Sequence, residues 1–268
     1  MNLDAYLARI GFAGQVRADA ATLKAVHRAH VETIPYENLD VQFGTPVTRN
    51  PQAAFDKIVT RRRGGWCYEM DGLLGWALGE IGFKVERLAG AVGRDERGDG
   101  AVGNHLVLIV QLDEPWLADA GFGDGLIEAM PLTTGPFRNG PYHCRIEPVG
   151  DGWLRYHSDP RTGGPTFDFN RDVTDESLLE NLCRYLQTSE DSPFVQNAVV
   201  QRWTPDRHIS IRGRVITRLG VGEKVTETVE SAERYVSILK NEFKLDLPDA
   251  AVLWPKICAR HDEIFAPT

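Results

Sequence analysis

Hydrophobic positions recur at helical spacing through the first part of the chain. Leu3, Leu7 and Ile10 form one stripe, and Gly11 ends it. Asp19 stands where a cap belongs for a second helix carrying Leu23, Val26 and His30. That helix has to stop before Ile34-Pro35, because the residue preceding a proline avoids the helical region. Asn50-Pro51 joins a capping side chain to a proline suited to the first helical position. Two stripes follow it, Ala54 with Ile58 and Phe55 with Val59. From Gly65 or Trp66 onward, Met70, Leu73, Leu74, Ala77, Leu78 and Ile81 cover most of a helix circumference. This fourth helix is expected to be largely buried, and Gly82 ends it.

The pattern then changes to short apolar runs separated by Gly, Pro and Asp. Residues 83–89, 105–112, 116–120, 143–149, 153–157 and 166–169 read as strands, and 93–103 as an exposed glycine-rich loop. Such spacing suits an antiparallel barrel or meander better than βαβ units. The last third is mixed. Leu178, Leu182, Tyr185 and Leu186 mark a helix, and 199–202, 209–212, 215–219 and 224–229 mark strands. Val236, Leu239 and Phe243 mark a late helix, with 248–257 as a further candidate. No repeat or low-complexity segment interrupts the sequence.

Composition narrows the function classes. With 42% hydrophobic and 25% charged residues in 268, the chain is long enough for a substantial core. Thirty basic against 38 acidic residues give a net charge of −8, a poor match for nucleic acid or anionic lipid. The segment 1–14 lacks a basic start and a long apolar run, so no signal peptide is expected. The strongest apolar run, near His105, is too short to span a bilayer. A cytoplasmic protein is the simplest expectation. Cys67, Cys144, Cys183 and Cys258 are far apart and form no CxxC pair, which argues against a disulfide framework and a zinc site. His27 and His30 are three apart on a helix, but no third ligand is near in sequence; no metal is expected.

The candidate chemistry begins at Cys67. In RRRGGWCYE, residues 61–69, it follows Gly64-Gly65 and opens a buried helix. Free N–H groups and the helix dipole there favour a thiolate, and the same N–H groups suit an oxyanion. On position alone a small buried structural cysteine is an equal reading. A nucleophile needs a base, and the base an orienting group. His105 opens the apolar run HLVLIVQL, and Asp119 lies fourteen residues on, in PWLADAGFG. In a hairpin of even register His105 falls opposite Gly121 with Asp119 diagonal on the same face; an odd register separates them. Singly, each also reads as an ordinary strand histidine and a turn carboxylate. The loop GFGDG, 121–125, can bring backbone close to a ligand or simply turn tightly. Arg61, Arg62 and Arg63 can attract an anionic substrate, complement a helix end in water, or pair with Glu69 or another buried acid. Tyr36, Trp66, Phe122 and Phe194 can line a pocket or the core.

Together these segments resemble the arylamine N-acetyltransferase family over nearly the whole chain. YLARIGF and LKAVHRAHVETIPYENLD match its N-terminal pattern, RGGWCYE is close to its RGGFCFE, and NHLVLIV, LADAGFGDG and SPFVQN follow in family order. The resemblance places the nucleophile on Cys67, the histidine on His105 and the aspartate on Asp119. It implies an α+β fold with a cysteine-protease-like triad core: an N-terminal helical bundle (1–83), a central antiparallel β-barrel (84–190) and a C-terminal α/β lid (191–268). It implies acetyl-coenzyme A as co-substrate, no permanently bound cofactor, and small aromatic amines or hydrazines as acceptors. Gly121, Phe122 and Gly123 fall in the loop near the coenzyme, and Tyr36, Phe122 and Phe194 at the acceptor pocket. Trp66, Tyr68, Tyr36, Ala118 and Ala120 depart from the family residues, which bears on acceptor preference. Monomer and homodimer both stay open. Rival readings are a thiol hydrolase or transglutaminase-like protein with the same triad, a macrolactam-forming amide synthase of the same family, and an inactive binding module.

Overall fold

The computed structural model describes residues 1–265. The N-terminal part holds α1 (Leu3–Ile10), α2 (Ala20–Thr33), α3 (Leu39–Gln42), α4 (Pro51–Phe55) and α5 (Cys67–Ile81). Asn2, Asp19 and Asn50 each accept a backbone N–H at the start of a helix, and Gly11 and Gly82 end α1 and α5 in the left-handed region. α4 runs on as a π-helical turn, Asp56–Thr60.

The strands follow as β1 (Tyr36–Glu37), β2 (Lys84–Val92), β3 (His105–Gln111), β4 (Pro115–Leu117), β5 (Met130–Pro131), β6 (Gly135–Asn139), β7 (Tyr142–Gly150), β8 (Trp153–His157) and β9 (Phe167–Phe169). Beyond them lie β10 (Val199–Trp203), β11 (Arg207–Arg212), β12 (Val215–Gly220) and β13 (Lys224–Thr228). One antiparallel sheet has the order β5-β4-β3-β2-β9-β8-β7-β6 and curls into a half-barrel; the other is β1-β10-β11-β12-β13. The expected barrel is therefore an open, curled sheet.

Two expectations need correction. Residues 93–103 are not a plain loop: α6 (Arg94–Arg97) and a 3₁₀ turn, Gly98–Ala101, occupy them, and Gly103 is buried. Strand β4 stops at Leu117, so Asp119 lies in the turn beyond it rather than in a strand reaching 120. The later helices are α7 (Glu176–Thr188), α8 (Pro193–Gln196), α9 (Ala232–Asn241) and α10 (Trp254–Phe265), the last entered through a 3₁₀ turn. No helix among the described residues is long and apolar enough to cross a membrane.

The core explains why α5 sits where it does. Leu73, Leu74, Ala77 and Leu78 of α5 and Leu106 to Val110 of β3 belong to one buried cluster, so helix and sheet share a single interior. Each fully buried aliphatic side chain there contributes about 1.5–3 kcal/mol. A second cluster joins Val200, Ile211, Ile216, Leu239 and Phe243 around the five-stranded sheet. β1 carries the N-terminal part into that sheet, with Tyr36 opposite Gln201.

Gly64 makes the crossing of β1 and the start of α5 possible. A Cβ there would overlap the Pro35 carbonyl oxygen and lie 2.7 Å from Glu37 Cγ. Gly64→Ala is expected to destabilise the fold by about 1–3 kcal/mol through overpacking against backbone that cannot yield. Thermal melting checks this, and an unchanged Tm would refute it.

Candidate active site

A buried charge cluster fixes the start of α5. Trp66 is extended at the N-cap, and its N–H donates to Glu69 Oε2 at 3.3 Å. Lys57 Nζ donates to the same oxygen at 2.9 Å and lies 3.0 Å from Asp40. Arg63 bonds Glu37 at 2.8 Å and Asp40 at 2.9 Å. Burial opposes the charge on Lys57, but Glu37, Glu69 and Asp40 together raise its pKa. Burial pushes Glu69 up to about 7 despite Lys57. Three acids face two cations, and of the three it is Glu69 that burial holds highest. Arg61 and Arg62 are exposed, so of the three arginines it is Arg63 that pairs with buried acids.

Cys67 is the first residue of α5 and is buried. Its sulfur lies 3.9 Å from the Asn104 carbonyl oxygen, beside the first residue of β3. Burial works against the ionisation that the helix start favours. Burial pushes the Cys67 thiol well up, an ionised Asp71 would add to this, and the Leu106 N–H works the other way. A thiolate at Cys67 therefore needs a base to receive its proton.

The hairpin supplies one. Ile109 pairs with Leu117, Val110 with Trp116 and Gln111 with Pro115, and the Ala118 N–H continues to the Leu108 carbonyl at 3.0 Å. This is the even register, and extended onward it sets His105 against Gly121. His105 Nε2 and Asp119 Oδ2 are 2.6 Å apart, and the Gly121 N–H donates to Asp119 Oδ1 at 3.0 Å. Both side chains are buried. Asp119 occupies Nε2, so Nδ1 is the ring nitrogen left to accept a proton. Phe122 and Phe167 pack against the imidazole as an adjacent pair, with centroids 5.6 and 5.0 Å from it and 4.7 Å from each other.

The other expected site residues divide into two groups. Tyr36, Asp119 and Gly123 line a cavity of about 10 Å³, room for roughly one water. Phe122 packs on His105, and Phe194 lies edge-on to Trp66 at 5.4 Å. The two glycines approach protein rather than open space. A Cβ on Gly121 would sit 2.8 Å from Cys67 Cα, and one on Gly123 (φ +88°) 2.5 Å from the Gln201 amide. Trp66 and Tyr68, two of the departures, are buried, and the Tyr68 hydroxyl donates to the Gly103 carbonyl at 2.6 Å. His27 and His30 are buried as neutral rings, His30 pushed down to about 3 by burial and bonded to the Tyr6 hydroxyl at 2.8 Å.

Sequence reasoning missed Asp71, Asn104 and Phe167. Asn104 ties the start of β3 to Val92 through two hydrogen bonds, 2.7 and 3.0 Å. Asp71 had a readable signal, being a second acid, one turn after Cys67, in a mostly apolar buried helix. Asp71, His105 and Asp119 bring one ligand atom each within 4.8 Å of one another. The 2.6 Å bond between His105 and Asp119 leaves no space for an ion between them, so acid–base work fits better than metal binding.

A family model described as N-acetyltransferase matches residues 19–252. The arylamine N-acetyltransferase of Mycolicibacterium smegmatis is 37% identical over 263 residues, covering 94% of this chain and 94% of that protein. Arylamine N-acetyltransferase 1 of Homo sapiens is 29% identical over 275 residues, covering 92% and 95%. A solved M. smegmatis arylamine N-acetyltransferase has a TM-score of 0.86 at 34% identity, covering 97% of this chain and 98% of that one. The Mycobacterium marinum enzyme in complex with CoA has a TM-score of 0.85 at 28% identity, covering 98% and 99%. The chain belongs to the arylamine N-acetyltransferase family.

Proposed function

We propose that this protein moves an acetyl group from acetyl-coenzyme A to an arylamine, arylhydrazine or arylhydroxylamine through a thioester on Cys67. The observation that carries the reading is the buried 2.6 Å His105–Asp119 pair set against the start of the helix that bears Cys67. His105 Nδ1 takes the thiol proton, and the sulfur attacks the acetyl carbonyl. The Cys67 N–H supports the oxyanion, and the coenzyme A sulfur leaves with the proton from His105. The amine nitrogen then attacks the thioester while His105 takes its proton, and Cys67 leaves as the thiol. Asp119 holds the imidazole with its proton on Nε2 and stabilises the imidazolium formed in each half-reaction. A weakly basic arylamine is neutral near pH 7 and attacks without prior deprotonation.

In this reading segment 1–83 supplies the nucleophile, 84–190 the base and its partner, and 191–268 the lid. Gly121, Phe122 and Gly123 belong to the loop that neighbours the coenzyme, and Tyr36, Phe122 and Phe194 border the acceptor. The place of action is the cytoplasm. Incubation with acetyl-coenzyme A alone is expected to give one acetyl group on Cys67 by mass spectrometry, discharged on adding an arylamine. Continuous coenzyme A release without an adduct would overturn the transferase reading in favour of a thiol hydrolase.

A further inference from the structure

Asp71 stands against this site without a task in the acetyl-transfer steps. It lies four residues after Cys67, so it occupies the same face of α5 one turn on. It is fully buried. Oδ1 accepts the Ala120 N–H at 2.9 Å, whereas Oδ2 is buried with no hydrogen-bond partner. Gly121 crosses directly over that oxygen, in a space where a Cβ would collide with it. An oxygen of Asp71, an oxygen of Asp119 and a ring nitrogen of His105 all lie within 4.8 Å of one another.

Two buried carboxyl groups this close do not both ionise when one imidazole is their shared neighbour. The partners decide which keeps its charge. Asp119 has the His105 ring at 2.6 Å and the Gly121 N–H at 3.0 Å, while Asp71 has the Ala120 N–H at 2.9 Å and a weaker pull from the same Gly121 N–H. Arg87 acts on Asp71 from β2, but Glu176 already engages it at 2.8 Å. Burial, then the Asp119 charge, hold the Asp71 carboxyl well above the usual carboxylate range. Cys67 faces the same carboxyl from its own helix, and an ionised Asp71 would raise the thiol further.

We propose that Asp71 is a positioning residue of this site: its carboxyl keeps its proton and holds the 119–121 backbone across the start of α5, leaving Asp119 as the single carboxylate charge behind His105. The proposal rests on the Cys67–His105–Asp119 reading above. An ordinary acid one turn from a nucleophilic thiol would oppose thiolate formation. A neutral acid in the same place supplies a hydrogen-bond acceptor without that penalty.

The test uses the full chain with Asp71→Asn and Asp71→Ala. It reads kcat/KM for acetyl-coenzyme A with an arylhydrazine, and the pH profile of Cys67 alkylation by iodoacetamide. The amide keeps the shape, the acceptor and the neutrality of the protonated acid. Asp71→Asn is therefore expected to stay within about threefold of wild type, with an unshifted alkylation midpoint. Asp71→Ala leaves the Ala120 N–H buried and unpaired, and is expected to lose at least about tenfold. A midpoint that falls by about one unit in Asp71→Asn would overturn the proposal, because a charge had then been removed. A tenfold loss in Asp71→Asn, or none in Asp71→Ala, would overturn it equally. Should Asp71→Ala not fold, the rate and midpoint of Asp71→Asn decide alone. Failure of wild type to acetylate Cys67 would instead defeat the underlying reading, whatever the variants do.

Discussion

Replacing Cys67 by alanine is expected to abolish acetyl transfer while leaving the fold in place. Of the four free cysteines, Cys67 is the one set beside the His105–Asp119 pair. Cys144 and Cys183 are buried, and burial pushes the Cys183 thiol up to about 12. Neither has a histidine–carboxylate pair. Removing the nucleophile of a unit that acts together typically costs 10⁴-fold or more, so kcat/KM is expected to fall by at least ~10⁴. The lost sulfur packing is expected to cost only about 1 kcal/mol. The rate of coenzyme A release in the presence of an arylamine reads the first effect, and thermal melting the second. A folded Cys67→Ala protein that retained more than a small fraction of the rate would remove Cys67 from the mechanism. Serine at this position is also expected to fail, since a hydroxyl ionises far less readily than the thiol it replaces.

Asp119→Asn is expected to be nearly as damaging, for a reason written in the hydrogen bonds. Asp119 accepts from two directions, the Gly121 N–H at Oδ1 and the His105 ring at Oδ2. An asparagine that kept the Gly121 bond would turn its NH₂ toward His105 Nε2. Nε2 would then have to be unprotonated, which moves the ring proton to Nδ1. A proton on Nδ1 blocks the atom that must receive one from Cys67. The variant also loses the charge that stabilises the imidazolium. Burial already holds the Cys67 thiol high, so this proton transfer has little margin. A loss on the order of 10³–10⁴ in kcat/KM is expected. The alkylation rate of Cys67 near pH 7 should fall with it. A loss below about tenfold would leave Asp119 a structural acceptor for the 121 turn and no more.

Much of the site is legible in the sequence because it depends on local rules. A glycine pair followed by a cysteine and a long apolar run places Cys67 at a helix start. Period-two counting across a short turn places His105 and Asp119 on one face, given the even register that β3 and β4 adopt. The caps at Asp19 and Asn50 are equally local. What escaped had no periodicity to read. β1 and β5 are two residues long, and β6 begins Gly-Pro, so neither length nor alternation marks them as strands. α6 spans four residues, too few for a helical stripe. These elements exist because neighbours pair with them or pack on them, not through their own preference.

By itself the sequence determined the helix starts and stops, the antiparallel character of the middle, and the ordered motif that carries Cys67, His105 and Asp119. These follow from neighbours within a few residues and from family pattern. Only the tertiary structure decided the protonation chemistry around them. Helix position alone favours an ionised Cys67, whereas burial between α5 and the 119–121 turn opposes it. Phe167, Lys57 and Asp40 reach the site from parts of the chain whose meeting no local rule specifies. Desolvation and charge pairing depend on what surrounds a group in three dimensions, so the same residues acquire their working states only when the chain is folded.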